Sequence, residues 1–202
     1  GGFGSVKLKQ PMVLGHEFSG YVDELGEGVT GFDVGELVVI SPSRPCGDCQ
    51  YCDEGLRNHC LNMRFYGSAM PFPHIQGAFQ EELIVDATQC VKAKGLTPGE
   101  AAMAEPFSVC LHATRRAGEL LGKRVLITGC GPIGALAIVA ARRAGAGEIV
   151  VTDLMSNPLD YARLAGADKT INMAENPQGL EPYAAGKGTF DVLYECTGSA
   201  QA

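Results

Sequence analysis

Four cysteines, Cys46, Cys49, Cys52 and Cys60, fall within fifteen residues in the pattern C-x2-C-x2-C-x7-C. Thiolates at i, i+3 and i+6 can curl around one ion, and a fourth donated from beyond a loop closes a tetrahedron. All-sulfur tetrahedral coordination suits a structural Zn²⁺ and leaves no position for a substrate. The segment contains Gly47 and Gly55 and little apolar mass, so a metal would be its main source of order. Two disulfides would suit a secreted chain instead. An iron–sulfur cluster is a further alternative, but the common ferredoxin run places its last cysteine closer and before Pro, whereas Cys60 precedes Leu61. Cys90, Cys110, Cys130 and Cys196 are scattered through apolar surroundings. One dense cluster beside isolated thiols points to a reduced compartment, the cytoplasm, and to a metal site.

Charge narrows the partners. Lys and Arg total 16 against 23 Asp and Glu, a net charge of −7 with no basic run, so neither nucleic acid nor an anionic membrane surface is an expected partner. The longest purely apolar stretch, Ala135–Ala141, is far short of the roughly 20 residues a membrane helix needs. Glycine is in excess, 27 of 202 residues, about twice the usual share. Without a tandem repeat to explain them, these glycines should serve turns and close backbone approaches.

The first half reads as β-rich, with strand candidates at Phe18–Leu25, Glu36–Ile40, Phe79–Val85 and Cys90–Ala93 between Gly and Pro. Short runs of this kind fit an irregular barrel or sandwich. The grammar changes near residue 97. Thr97-Pro98-Gly99-Glu100 has the form of a capping box with Pro in the first turn, and Pro106 opens a second helix through about Ala117. From Arg124 the order is strand (RVLIT), Gly-rich turn (GCGPIG), helix (ALAIVAARRAG) and strand (EIVVTD). A helix at Asn157–Leu164 and strands near Lys169–Ile171 and Asp191–Cys196 follow. This alternation predicts a parallel α/β sheet. The expected domains are 1–105, β-rich and carrying the zinc lobe, and 106–202, binding a dinucleotide.

Gly129-Cys130-Gly131-Pro132-Ile133-Gly134 is a G-x-G-x-x-G that follows a strand and opens a helix, and Asp153 ends the next strand nineteen residues after Gly134. The first glycine permits the turn, the second lets backbone approach a pyrophosphate, and the third lets helix pack on strand. Helix N–H groups then face the phosphates. Asp153 can accept hydrogen bonds from the ribose hydroxyls. Leu154, Met155, Ser156 and Asn157 supply no cation for a 2′-phosphate, so NAD is favoured, with NADP possible.

Four stretches in order, GHEFSGYVDELGEGVTGFDVGELV at 15–38, the cysteine lobe at 46–60, AEPFSVCLHA at 104–113 and VLITGCGPIG at 125–134, resemble the zinc-dependent medium-chain dehydrogenases of alcohols and polyols. The resemblance implies a GroES-like catalytic domain joined to a Rossmann-type doubly wound sheet, each present in part. It also implies a second, catalytic zinc. His16 would be a ligand, Glu17 a neighbouring carboxylate that binds or exchanges at the metal, and Glu105 the acidic residue of the polyol branch. One further cysteine ligand and the proton-relay hydroxyl would lie upstream of these residues. His59 and His112 read as structural.

A narrower resemblance, to the L-idonate 5-dehydrogenase group, rests on Met63–Pro73, His74 and Gly77-Ala78-Phe79. It implies that Phe65 and Tyr66 contact a substrate carbon chain and that Arg64 meets a carboxylate; core packing and a solvated charge are the competing reading. The implied reaction is reversible oxidation of a sugar-acid or polyol secondary alcohol, with Lewis-acid help from zinc and hydride transfer to NAD(P). Sorbitol, xylitol and L-threonine are alternative substrates, and a noncatalytic NAD-binding relative is an alternative of another class. A homodimer or homotetramer is expected. The start without Met and the last strand at Asp191–Cys196 suggest a section of a longer polypeptide, with the second half of the sheet beyond it; expressed alone, the 202 residues would be poorly soluble and inactive.

Overall fold

The computed structural model describes residues 2–3 and 6–199. The chain falls into two compact units, Gly1–Glu105 and Pro106–Ala202.

In the first unit, β1 (Gly2–Phe3) and β2 (Val6–Lys7) form an antiparallel pair. A three-stranded antiparallel sheet joins β3 (Ser19–Tyr21), β4 (Leu37–Ile40) and a strand at Cys90–Lys92 that lies later in the chain. Val38 and Ile40 are buried in β4 while Leu37 and Val39 are only partly covered, the two-residue period of a sheet with one core face. Between these come β5 (Ser43–Arg44), the single-turn α1 (Gln50–Asp53) and β6 (Arg64–Phe65), which pairs antiparallel with β5. The strand at Cys90–Lys92 is therefore β7. Helix α2 (Pro98–Ala102) starts as its sequence predicts. Thr97 Oγ1 accepts the Glu100 N–H and the Glu100 carboxylate accepts the Thr97 N–H, satisfying two otherwise orphaned donors.

Two strand expectations need correction. Phe18–Leu25 shortens to the three residues of β3, because beyond Tyr21 only isolated bonds continue, Val22 N–H to Glu36 O and Gly35 N–H to Val22 O. Phe79–Val85 forms no strand at all. Gly77, Ala78 and Phe79 donate to the carbonyls of Val13, Gly15 and Leu14, and then Gln80 N–H turns back to Ala78 O. Past that turn, 81–85 donate no backbone hydrogen bond among the described residues, and Ile84 is 95% exposed. Apolar alternation without a ladder partner does not make a strand.

The second unit opens within α3 (Ala104–Ala117) and continues as β8 (Arg124–Thr128), α4 (Pro132–Arg143), β9 (Glu148–Asp153), α5 (Ser156–Ala165), β10 (Lys169–Asn172) and β11 (Val192–Glu195). Its sheet is parallel, in the order β10-β9-β8-β11. That is 3-2-1-4 counted along the chain, the order of a dinucleotide-binding sheet up to its fourth strand. Four consecutive β9 residues, Ile149 to Thr152, are buried, the continuous apolar pattern of a strand covered on both faces. From α4, Gly134, Ala137, Ile138, Ala140 and Ala141 face inward, and their small size lets the helix lie close to the sheet. Tyr194 of β11 donates its hydroxyl to Thr114 Oγ1 on α3 at 3.2 Å in a buried contact.

Candidate metal centres and the dinucleotide turn

The cysteine lobe brings its four sulfurs to within 4.8 Å of one another. The spacings Cys46–Cys60, Cys49–Cys52 and Cys49–Cys60 are 3.4, 3.6 and 3.9 Å. A tetrahedron with Zn–S bonds of 2.3 Å has edges of roughly 3.8 Å, whereas a disulfide would need about 2.05 Å. The donor set and its size therefore fit a single zinc. The local backbone favours thiolates at two positions. N–H groups of Leu61 and Cys52 pull the Cys49 thiol down to about 6, and the Cys46 N–H, 3.2 Å from Cys60 Sγ, lowers Cys60. Asp48 pushes Cys46 up to about 11, and burial raises Cys52. Tyr51 and His59 pack ring against ring beside the cluster.

A second convergence lies in the same unit. His16, Glu17 and Glu105 each offer a ligand atom, all within 4.8 Å of one another. Burial raises the Glu105 carboxyl, with Glu17 pushing the same way and His16 opposing. One imidazole and two carboxylates form an N/O donor set of the kind Zn²⁺ accepts. Backbone packing fixes where His16 sits. Gly15 has φ +95°, and a Cβ there would fall inside the Phe79 ring. A Cβ on Gly67 would come within 2.7 Å of Gly15 O, and one on Gly77 would overlap the Leu14 carbonyl. Residues 13–15 are thus held between two glycines and the hydrogen bonds from 77–79.

The three candidate substrate residues fall into two groups, Phe65 beside His16 and Arg64 with Tyr66 at a second pocket. Phe65 lies edge-on to His16, ring centroids 5.4 Å apart. Tyr66 is buried, with its hydroxyl donated to Ile84 O at 3.2 Å. Arg64, one residue from Phe65 and so on the other face of β6, stands opposite Arg44 of β5.

In the second unit each glycine of the turn has a distinct physical reason. Gly129 has φ +82°, and a Cβ on it would meet Cys196 and Thr197 backbone at 3.0 Å. A Cβ on Gly131 would meet nothing within 4 Å, so that face stays open to a ligand, while one on Gly134 would overlap the Gly129 carbonyl. Pro132 and Ile133 occupy the first turn of α4, where Pro's missing N–H costs nothing. Asp153 Oδ2 accepts the Cys130 N–H at 2.8 Å and Oδ1 the Met155 N–H at 3.0 Å. Its carboxylate is thereby fixed beside the turn with lone pairs to spare. Thr128 Oγ1, at the carboxyl end of β8, is buried without a hydrogen-bond partner among the described residues, an orphaned donor where such sheets bind their ligand. Turn and orphan together fit a dinucleotide.

Comparison with known proteins shows the family. The family described as "Alcohol dehydrogenase GroES-like domain" matches residues 2–95, and the family "Zinc-binding dehydrogenase" matches residues 132–202. L-idonate 5-dehydrogenase (NAD(P)(+)) of Escherichia coli strain K12 is 43% identical over 204 residues, covering 98% of this chain and 57% of that protein. The chain belongs to the zinc-dependent medium-chain dehydrogenases. Within that family, sorbitol dehydrogenase of Bacillus subtilis is 34% identical over 206 residues, covering 100% of this chain and 57% of that protein. The crystal structure of the E. coli L-idonate 5-dehydrogenase superposes with a TM-score of 0.91 at 42% identity, over 100% of this chain and 57% of that one. A zinc-binding dehydrogenase of Sinorhizobium meliloti, solved with NADP, gives 0.85 at 32% identity over 96% and 56%. The chain thus spans a little over half the length of these relatives.

Sequence reasoning missed the clamp made by Gly67 and Gly77, the orphaned Thr128 hydroxyl and the position of Arg44. The glycine excess was the only signal for the first. The other two depend on burial.

Proposed function

We propose that the complete protein oxidises a secondary alcohol of a sugar acid or polyol by hydride transfer to NAD(P), with L-idonate to 5-dehydro-D-gluconate as its reaction. The observation that carries the reading is the convergence of His16, Glu17 and Glu105 within 4.8 Å. The identity of 43% to the E. coli enzyme supports the substrate. Zn²⁺ held by His16, Glu17 and Glu105 would supply Lewis acidity, and a bound nicotinamide would supply the hydride acceptor. The chain's own residues do the positioning. The Gly67–Gly77 clamp aims His16, and the Phe65 edge keeps water from one side of its ring. The open face at Gly131 and the N–H groups starting α4 receive the pyrophosphate. Asp153 orients the adenosine ribose through the lone pairs its backbone donors leave free, which favours NAD over NADP.

The four-cysteine lobe holds a second, structural zinc in this reading, and the protein is a homo-oligomer. The test is reduced-nicotinamide formation by the intact protein with L-idonate, sorbitol and L-threonine side by side. L-idonate should give the highest kcat/KM, and His16→Ala should abolish turnover. Full activity in that variant would sink the mechanism. Sorbitol and L-threonine are the competing substrates because a sorbitol dehydrogenase and an L-threonine 3-dehydrogenase are 34% and 37% identical.

A further inference from the structure

The antiparallel pair β5–β6 sets two arginines directly opposite each other, Arg44 and Arg64. Like charges at opposed positions of such a pair destabilise it, and neither arginine forms an ion pair among the described residues. Both line an open pocket of about 460 Å³, together with Tyr66, His74, Gln80 and Glu82.

Arg44 is held in place and left unsatisfied. Its guanidinium lies over the Tyr66 ring at 4.7 Å, with Nη1 donating to the Tyr66 hydroxyl at the long distance of 3.5 Å. Its Nε is buried without a hydrogen-bond partner among the described residues. A buried N–H on a charged group that has lost water and gained no acceptor is costly. Arg64 is exposed and makes no described polar contact, so it is free to swing toward a ligand.

The other lining groups narrow what fits. His74 Nε2 accepts the Lys9 N–H at 2.9 Å and Nδ1 lies 3.0 Å from Pro71 O, so both ring nitrogens are already engaged. Gln80 donates its amide to Gly77 O. Among the described residues Glu82 is the one acidic side chain lining the pocket, and it forms no ion pair with either arginine. Two guanidinium groups against one carboxylate leave the pocket with an excess positive charge.

We propose that the Arg44–Arg64 pocket is a binding site for a small oxyanion, a phosphate or a carboxylate, separate from the His16 cluster. Guanidinium forks pair with such oxygens in bidentate fashion, and an anion bound through the accessible guanidinium nitrogens would neutralise the opposed charges.

The test is calorimetric titration and thermal melting of the intact protein in chloride buffer, without alcohol or nicotinamide, using inorganic phosphate and gluconate as separate probes. Saturable binding of either supports the site. Phosphate alone identifies a phosphate site, and gluconate alone a carboxylate site. Because Arg64 is exposed, Arg64→Ala should fold normally and weaken binding about tenfold or more. Arg64→Lys should recover part of it, and Glu82→Gln should tighten it. His16→Ala should bind as the wild type does, whatever becomes of its dehydrogenase activity. No saturable binding of either probe, equal affinity in Arg64→Ala, or loss of binding in His16→Ala would each overturn the proposal.

Discussion

The two units reach order by different means. In the second, a parallel sheet buries Val125, Ile127, Ile149, Val150 and Val151 completely, and Leu120, Ile138 and Leu159 join them at 2% exposure or less. In the first, strands are two to four residues long, and no residue from 43 to 65 is buried except Cys60. Order in that stretch rests on the convergence of its four sulfurs and on short hydrogen-bonded turns. Apolar area removed from water stabilises the second unit directly, at about 25 cal/mol per Å². The cysteine lobe has no such reserve, and the zinc proposed for it would take that place.

The sharpest way to break this contrast is to remove that ligand. Structural Zn²⁺ contributes roughly 10–16 kcal/mol of apparent binding energy in zinc-finger peptides. Cys49→Ser in the intact protein should therefore lower bound zinc by one equivalent per chain and abolish amide-exchange protection across 46–62. Protection in β8 and β9 should persist. If the lobe stayed protected without metal, the contrast would fail.

The reciprocal experiment perturbs packing. Ile149 is fully buried in β9, and truncating such a side chain costs about 2–5 kcal/mol. Ile149→Ala should lower the denaturation midpoint of the second unit while zinc content stays at its wild-type value. Loss of zinc with this substitution would mean that the two sources of order are not separable.

The same contrast explains what could be read in advance. Regular period and capping carried the second unit: the strands at 124–128 and 148–153, the glycine turn and the Thr97 capping box all have local causes. The lobe was readable because four like ligands at short spacing have few uses. Phe79–Val85 misled because its alternation is real but its partner strand is absent among the described residues, which no local pattern reports. His16 and Glu105 are eighty-nine residues apart, and singly His16, Glu17 and Glu105 are each ordinary; their meeting depends on tertiary contacts such as Gly67 against Gly15. Phe65, Tyr66 and Arg64 are adjacent in sequence, yet Phe65 lies against His16 while Arg64 and Tyr66 line the pocket beside Arg44.

A smaller effect sharpens the comparison inside the first unit. Thr97 caps a helix of five residues, and losing such a cap costs about 1 kcal/mol. Thr97→Ala should speed amide exchange at the start of α2 and leave the zinc lobe unchanged. Exchange accelerating equally across 46–62 would mean that the lobe leans on this helix more than on its metal.

The smallest expected effect tests whether charge adds to packing in the second unit. Asp168 lies just before β10 and accepts the Ile149 N–H at 2.7 Å and Arg142 Nη2 at 2.6 Å, while the same guanidinium donates to the Ala146 and Gly166 carbonyls. Burial pushes the Asp168 carboxyl up, but the Ile149 N–H and the Arg142 guanidinium outweigh it, so the group titrates below its ordinary value. A depressed folded value means the carboxylate stabilises the fold above the unfolded value of about 3.9, and the contribution is lost as pH falls through the folded one. The Asp168 side chain is 42% exposed, so solvent screening holds the effect below about 1 kcal/mol. Asp168→Asn should be slightly less stable than wild type at neutral pH, and the two should converge in acid below the ordinary aspartate range. A gap that stays constant across that range would assign the role of Asp168 to hydrogen-bond geometry, which Asn shares in part, and would leave apolar packing as the only source of order in this unit that these substitutions detect.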